Sequence, residues 1–257
     1  MMKIIYDDSA FISPDTITLY ANTNEVFLTT PVRGIILEFP GLGGGSCLGG
    51  TLERQDYDTS YAKAFGEEGI VLAYLFPGPW SWGNNASVRM ADGVVCALTE
   101  KYGLPEGFPL GGSGGSMGGQ GALIYAAETR FKLRCAAVAC PCIDVLSAYS
   151  IRTDFPRTFF SAAAGYDLPI DKALEQLSPV HRLADLPDME YFISANGADE
   201  LFPEEEIHAF VRSMEAQGRK VVYRNQPGTY HGQFTPEVRD EMHTFLLNHI
   251  SRKPSCI

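Results

Sequence analysis

Short runs of consecutive apolar residues recur along the chain, with segments of helical periodicity between them. Such runs, which lack alternation of apolar and polar positions, are typical of strands buried on both faces of a sheet. They occupy residues 33–39, 70–76, 133–139, 189–195 and 220–224. Two further strands are predicted within residues 16–28, joined around residues 22–24, and one immediately before Ser116.

Amphipathic helices are predicted between these strands. One ends at Gly103, a residue type that commonly terminates helices, and two others begin next to Pro203 and Pro236. The apolar face of the first helix is formed by Val88, Ala91, Val95, Leu98 and Tyr102. The alternation of strands and helices predicts an α/β fold with a mostly parallel central sheet of about eight strands and helices on both faces.

Residues 141–188 form an unusually long connection between two predicted strands. A connection of this length usually contains helices of its own and has a function. We expect a small cap over the functional site, inserted into a single domain that spans residues 1–257. Tyr149, Phe159 and Phe160 in this segment are expected to face either a substrate or the core beneath them.

The net charge excludes some classes of partner. The 31 acidic residues exceed the 20 basic ones and give a formal charge of -11, which disfavours binding to nucleic acid or to an anionic membrane surface. The apolar run near the N-terminus is too short for a secretory signal, and no later stretch is long enough to span a membrane. We therefore expect a cytoplasmic protein.

The cysteines do not indicate a metal centre. The six thiols lack the density of a disulfide scaffold, and Cys140 and Cys142 are separated by one residue instead of the two of a redox or zinc motif. An H-E-x-x-H motif is also missing from the sequence. No metal and no cofactor are expected.

The chemistry is predicted to centre on Ser116. The segment 114–118, GGSMG, fits G-x-S-x-G, in which small neighbours allow a sharp turn that exposes one hydroxyl between a strand and a helix. Gly118, Gly119 and Gly121 then each weaken the following helix by about 1 kcal/mol relative to alanine, which indicates close packing on the sheet. The alternative is an ordinary glycine-rich turn.

A histidine and a carboxylate are candidates to activate this serine. Only His231, of five histidines, lies in a predicted strand-to-helix loop at the carboxyl edge of the sheet. Asp199 follows the neighbouring strand and is expected to orient the imidazole. Asp144 is the alternative carboxylate, and Asp199 has the alternative role of capping the helix that begins near Pro203.

Two loops after predicted strands are candidates for the walls of the site. The loop 40–45 lacks the third glycine of a dinucleotide fingerprint and is not followed at once by a helix, so we expect it to direct a backbone N–H at an oxyanion. The loop 77–83 contains Trp80 and Trp82, which either line a substrate cleft or pack as a structural plug.

With these residues the chain resembles the α/β-hydrolase superfamily. G-x-S-x-G at 114–118 is followed by Asp199 and His231, in the order Ser, Asp, His, each after the expected strand. In the segments 196–203 and 230–232 it is most similar to small dienelactone-hydrolase-like and prolyl-oligopeptidase-like esterases. It departs from many members at Pro40-Gly41, where they have His-Gly.

The resemblance implies acyl transfer from a small-molecule ester to Ser116. His231 would act as base and then acid, Asp199 would orient it, and the N–H groups of Met117 and Leu42 would bind the oxyanion. An aromatic substrate pocket would be formed by Trp80, Trp82, Tyr149, Phe159 and Phe160. The alternatives are a prolyl-oligopeptidase-type peptidase, which the sequence disfavours because no propeller or gating domain precedes the catalytic unit, and a non-catalytic binding protein on the same fold.

Overall fold

Seven strands form a single sheet in the computed structural model, which describes residues 11–43 and 60–251. The strands are β1 (Ala21–Thr23), β2 (Gly34–Phe39), β3 (Ile70–Leu75), β4 (Leu110–Gly115), β5 (Cys135–Ala139), β6 (Glu190–Asn196) and β7 (Lys220–Gln226). Their order is β1-β3-β2-β4-β5-β6-β7. All neighbouring strands pair in parallel except β1, which is antiparallel to β3.

Helices connect these strands. They are α1 (Ser60–Glu67), α2 (Asn85–Tyr102), α3 (Met117–Glu128), α4 (Val145–Ala148), α5 (Phe155–Ala163), α6 (Ile170–Gln176), α7 (Glu204–Ala216) and α8 (Pro236–Ser251). In the described part of the chain, 3-10 helices also span Ile17–Leu19, Glu25–Phe27 and Pro179–Asp185. Among the described helices, none combines the length and the apolar character needed to cross a membrane.

Sequence signals at the helix ends have the expected effects. The side chain of Asn84 accepts a hydrogen bond from the Ser87 N–H at 3.0 Å and caps the start of α2. At the other end Gly103 has a φ of 61°, a left-handed conformation that glycine adopts without steric cost. The α2 helix therefore ends where the sequence predicts.

The sheet is buried on both faces. Ile35 and Leu37 of β2 belong to one apolar cluster with residues of α2 and α3, whereas Ile36 points the other way. Ile36 packs in a second cluster with Phe245 and Leu246 of α8. Because successive side chains of a strand point to opposite faces, a continuous apolar run is what such a strand needs. The prediction of an α/β fold is confirmed.

The described residues contain seven strands, which is slightly fewer than the eight or so that were expected. One departure from the prediction lies in residues 16–28, where two strands were expected. Only β1 forms there, between two 3-10 helices. The fully buried side chain of Asn24 accepts the N–H of Leu72 at 2.9 Å and donates to the carbonyls of Ala62 at 2.9 Å and Ile70 at 3.1 Å. The Asn24 side chain thus bonds backbone groups of β3 that the backbone of a longer edge strand would otherwise bond, and β1 ends at Thr23.

The long connection 141–188 contains α4, α5, α6 and the 3-10 helix Pro179–Asp185. Parallel pairing places the carboxyl ends of β4, β5, β6 and β7 side by side at one edge of the sheet. The residues that follow these ends, including Ser116, Cys140 and Asp199, are therefore neighbours in space although they are distant in sequence.

Candidate active site

Ser116 occupies a strained turn between β4 and α3. Its φ of 59° and ψ of -127° are unusual for a residue with a side chain, and a conformation of this kind costs on the order of 1–3 kcal/mol. The Ser116 N–H donates to the carbonyl of Ala139 at 2.9 Å, and its carbonyl accepts the N–H of Gln120 at 3.1 Å in the first turn of α3. These bonds hold the turn, which presents a partly exposed hydroxyl.

The glycines of the motif allow backbone to pack directly on backbone. A Cβ added at Gly118 would lie 2.7 Å from the carbonyl carbon of Phe39 and 2.8 Å from the carbonyl oxygen of Pro40. One added at Gly114 would lie 2.5 Å from the carbonyl carbon of Gly118. Any side chain at these two positions would separate the start of α3 from β4 and from the end of β2.

This close packing brings the two candidate oxyanion donors to the same region. Met117 is the first residue of α3, so its N–H has no acceptor within the helix. Leu42 lies in the loop after β2, where the next N–H, that of Gly43, donates to the carbonyl of Pro79 at 2.9 Å. The rest of the predicted loop, residues 44 and 45, lies outside the described residues.

His231 connects Ser116 to Asp199. Its Nε2 lies 2.8 Å from Ser116 Oγ, and its Nδ1 lies 2.7 Å from Asp199 Oδ2. Since an ionised carboxylate only accepts hydrogen bonds, Nδ1 carries the proton in the neutral ring and Nε2 is left to accept from the serine hydroxyl. The structure thus brings together the three side chains that the sequence predicts.

Asp199 is completely enclosed, with none of its side chain exposed. Its Oδ1 accepts the backbone N–H groups of Leu201 at 2.8 Å and Phe202 at 3.0 Å, which leaves Oδ2 directed at the imidazole. The Phe202 ring then packs edge-on against His231, with centroids 5.1 Å apart. The carboxylate therefore shapes its own turn and also orients the histidine.

Two buried amide side chains hold the loop that carries His231. Asn196, at the end of β6, donates to the carbonyls of Tyr230 and Gln233, the latter at 2.9 Å. Gln226, at the end of β7, donates to Asn196 Oδ1 at 3.1 Å and accepts the N–H of Thr235 at 2.8 Å. Sequence reasoning missed both residues; their only signal is a polar side chain at the end of an apolar strand.

The surroundings of His231 change its proton affinity. Burial lowers the pKa of His231, but the hydrogen bond to Asp199 and the negative charge of that carboxylate raise it, with a further contribution from the nearby Cys140, and the net result is a pKa of about 9. The ring side chain is 21% exposed, so it is accessible from the surface. The enclosed Asp199 carboxylate thus stabilises the protonated imidazole.

Asp144, the alternative carboxylate, caps a helix and is not hydrogen-bonded to His231. Asp144 accepts the N–H of Leu146 at 2.8 Å and caps α4. Other histidines also lie elsewhere: His243 stacks on Tyr61 at a centroid distance of 4.2 Å, and His249 contacts the carbonyl of Phe245 at 2.7 Å. Of the carboxylates considered from the sequence, Asp199 is the one beside His231.

The aromatic residues predicted to bind substrate divide into two groups. Trp82 and Phe159 are fully buried, and Trp82 Nε1 donates to Thr158 Oγ1 at 2.9 Å, so these two rings are part of the core and do not face an open cleft. They pack there because α5 lies against the loop 77–83.

The remaining three aromatic side chains reach the surface. Trp80 is half-buried beneath the guanidinium of Arg157, 5.1 Å from its ring centroid, and lines a cavity of about 180 Å³. Tyr149 is also half-buried, and its ring contacts Phe160, which is 46% exposed.

A model of the prolyl oligopeptidase family matches residues 82–254, a range that includes Ser116, Asp199 and His231. The chain belongs to the prolyl oligopeptidase family. The resemblance inferred from the sequence is confirmed, and the protein is a serine hydrolase of the α/β-hydrolase superfamily. No match was found among curated proteins.

Solved structures share the fold of this prolyl oligopeptidase family member. Esterase B from Lactobacillus Rhamnosis (HN001) superposes with a TM-score of 0.65 at 12% identity, over 87% of this chain and 78% of that chain. A puromycin-hydrolyzing peptidase of Mycobacterium tuberculosis gives 0.67 at 18% identity, over 89% and 36% of the two chains. The Pyrococcus horikoshii acylaminoacyl peptidase gives 0.67 at 13%, over 90% and 39%. The chain spans little more than a third of the two peptidases.

We predict that Gly118→Ala destabilises this family member by about 1–3 kcal/mol and lowers its hydrolytic activity. Alanine favours a helix over glycine by about 1 kcal/mol, so a loss of stability has to come from the clash with the backbone at Phe39 and Pro40. The free energy of unfolding in urea measures the effect.

Gly112→Ala is the matched control for this substitution. A Cβ at Gly112 would lie 3.5 Å or more from its neighbours, which is ordinary van der Waals contact. Equal free energies of unfolding for the two variants would contradict the packing described for Gly118.

Proposed function

We propose that the protein hydrolyses carboxylic esters through an acyl-enzyme on Ser116. The observation that carries this proposal is the hydrogen-bonded chain from Ser116 Oγ to His231 Nε2 at 2.8 Å and from His231 Nδ1 to Asp199 Oδ2 at 2.7 Å. A serine hydroxyl is a weak nucleophile until an adjacent base removes its proton, and this arrangement supplies the base and its orienting carboxylate.

Acylation begins when Ser116 Oγ attacks the ester carbonyl carbon. The hydroxyl proton moves to His231 Nε2, and the carbonyl oxygen becomes an oxyanion. The N–H groups of Met117 and Leu42 bind this oxyanion, and each such donor typically contributes about 3 kcal/mol to stabilisation of the transition state. His231 then returns the proton to the alcohol, which leaves.

Deacylation repeats these steps with water. His231 accepts a proton from the water that attacks the acyl carbon, and it then protonates Ser116 Oγ as the acid product departs. Asp199 keeps its negative charge throughout and stabilises the imidazolium that forms twice in each cycle.

The preference for esters rests on the reactivity of the substrate. An ester oxygen donates less electron density to its carbonyl than an amide nitrogen does, so the same nucleophile and oxyanion donors acylate faster with an ester. Trp80, Tyr149 and Phe160 offer partly exposed aromatic surface for the acyl or alcohol group. The second candidate function is hydrolysis of peptides or amides, which the match to the prolyl oligopeptidase family favours.

We expect short acyl esters to have a higher kcat/KM than proline-containing amides that carry the same acyl group. Steady-state kinetics on such matched pairs measures the preference. Turnover of both substrates should fall by at least about 10³-fold in Ser116→Ala, because the nucleophile is lost. Ser113→Ala is the control, since it removes a hydroxyl from the same strand and leaves Ser116 in place.

Two results would count against the proposal. Faster turnover of the amides would favour the peptidase function over the esterase function. Ester hydrolysis that persists unchanged in Ser116→Ala would contradict the assignment of the nucleophile itself.

We predict that kcat/KM rises with pH through a midpoint near 9, because the imidazole of His231 has to be neutral to accept the proton of Ser116. A pKa raised from 6.5 keeps the protonated, inactive form populated to higher pH. The profile is measured from about pH 6 to pH 10. A midpoint at or below 6.5 would contradict the environment described for His231, provided that circular dichroism shows folded protein throughout.

A further inference from the structure

His231 and Ser116 follow strands that are not neighbours in the sheet, because two other strands lie between them. His231 follows β7 and Ser116 follows β4, while β5 and β6 lie between them. Neighbouring strands are about 4.8 Å apart, so the ends of β4 and β7 are separated by roughly 14 Å. The imidazole therefore has to lie over the sheet edge, with Asp199 at the end of β6 and Cys140 at the end of β5.

Cys140 is held firmly at that position. Its side chain is buried, with 1% exposed, and its N–H donates to the carbonyl of Ser194 at 2.7 Å. The preceding residue, Ala139, accepts the N–H of Ser116. The φ of Cys140 is 37°, a left-handed value that costs on the order of 1–3 kcal/mol for a residue with a Cβ and tends to occur at functional sites.

The sulfur of Cys140 lies close to both His231 and Asp199. Its Sγ, a carboxylate oxygen of Asp199 and a ring nitrogen of His231 are all within 4.8 Å of one another. Cys142 is equally buried two residues further along, and its pKa is raised by burial and then by the charges of Asp144 and Glu206. Among the described residues, Cys140 is the thiol grouped with His231 and Asp199.

We propose that Cys140 is a positioning residue whose thiol supports the imidazole of His231 from the end of β5 and keeps it aligned between Ser116 and Asp199. The kinetic consequence rests on the proposed function, whereas the support itself does not. A misplacement of about 1 Å in a catalytic group can reduce turnover by up to 10²-fold, so loss of one supporting atom is measurable.

The electrostatic surroundings of His231 agree with this role. The polar groups described beside the ring are Asp199 from the loop after β6, Cys140 from the loop after β5 and the hydroxyl of Ser116, and the Phe202 ring packs against it without bearing charge. The sulfur of Cys140 is a weak hydrogen-bond acceptor close to the ring, and it contributes to the raised pKa of His231 after burial and the bond to Asp199. Removing the sulfur should therefore lower the pKa of the imidazole.

Cys140→Ala tests the proposal, because it keeps the Cβ, and hence the same backbone strain, and removes only the sulfur. In the Ser116→Ala background, titration of the His231 ring by NMR should show a lower midpoint for Cys140→Ala and an unchanged midpoint for Cys142→Ala. Equal midpoints in the two cysteine variants would overturn the proposal.

Kinetics with Ser116 present supplies the second measurement. At a pH above the midpoints of both proteins, where the imidazole is neutral, Cys140→Ala should lower kcat by about tenfold with little change in KM, and Cys140→Ser should recover part of the loss because it restores a polar atom beside the ring. If Cys140→Ala does not fold, the Cys140→Gly titration decides in its place, because glycine also lacks the sulfur and adopts the positive φ without strain; an unshifted midpoint counts against the proposal. A shifted midpoint in a protein that hydrolyses no ester would support the positioning role and reject the proposed function.

Discussion

The site depends on close backbone-to-backbone packing at glycine positions between α3, β4 and the end of β2. Where α3 begins, Gly118 lies against the carbonyl groups of Phe39 and Pro40, and Gly114 lies against Gly118. No other residue type fits these two positions without displacing backbone. Ser116 has its strained conformation between these two glycines, and the contact brings the end of β2 and the loop after it beside the start of α3.

The other half of the site is fixed by buried polar groups instead of by close packing. Asn196 and Gln226 bond to each other and to the backbone around His231, and Asp199 closes its own turn with one oxygen and bonds to the imidazole with the other. Because these groups are removed from water and fully partnered, a change in one disturbs the others. The loops after β6 and β7 are therefore coupled, and Cys140 lies close to them at the end of β5.

Features that depend on residues close together in the sequence could be predicted, whereas features that depend on contacts between distant residues could not. Continuous apolar runs are a local property, and they predict β2, β3, β5, β6 and β7; the G-x-S-x-G pattern predicts β4 and the turn at Ser116. Ser116, Asp199 and His231 could be brought together because the ends of parallel strands share one edge. Other contacts between residues far apart in the sequence could not be predicted. Hydrogen bonds of the buried Asn24 side chain replace part of the edge strand, and packing of α5 buries Trp82 in the core. The strand order that places Cys140 near His231 is likewise absent from any local pattern.

Covalent labelling of the folded protein with a fluorophosphonate, followed by peptide mass spectrometry, shows whether Ser116 is a nucleophile activated by His231. The reagent requires a serine activated by its base, and it reports this activation without knowledge of the substrate. We expect a single adduct on Ser116 that is lost in Ser116→Ala and forms far more slowly when His231 is replaced by alanine. An adduct on another serine, or labelling of Ser116 that does not depend on His231, would contradict this expectation.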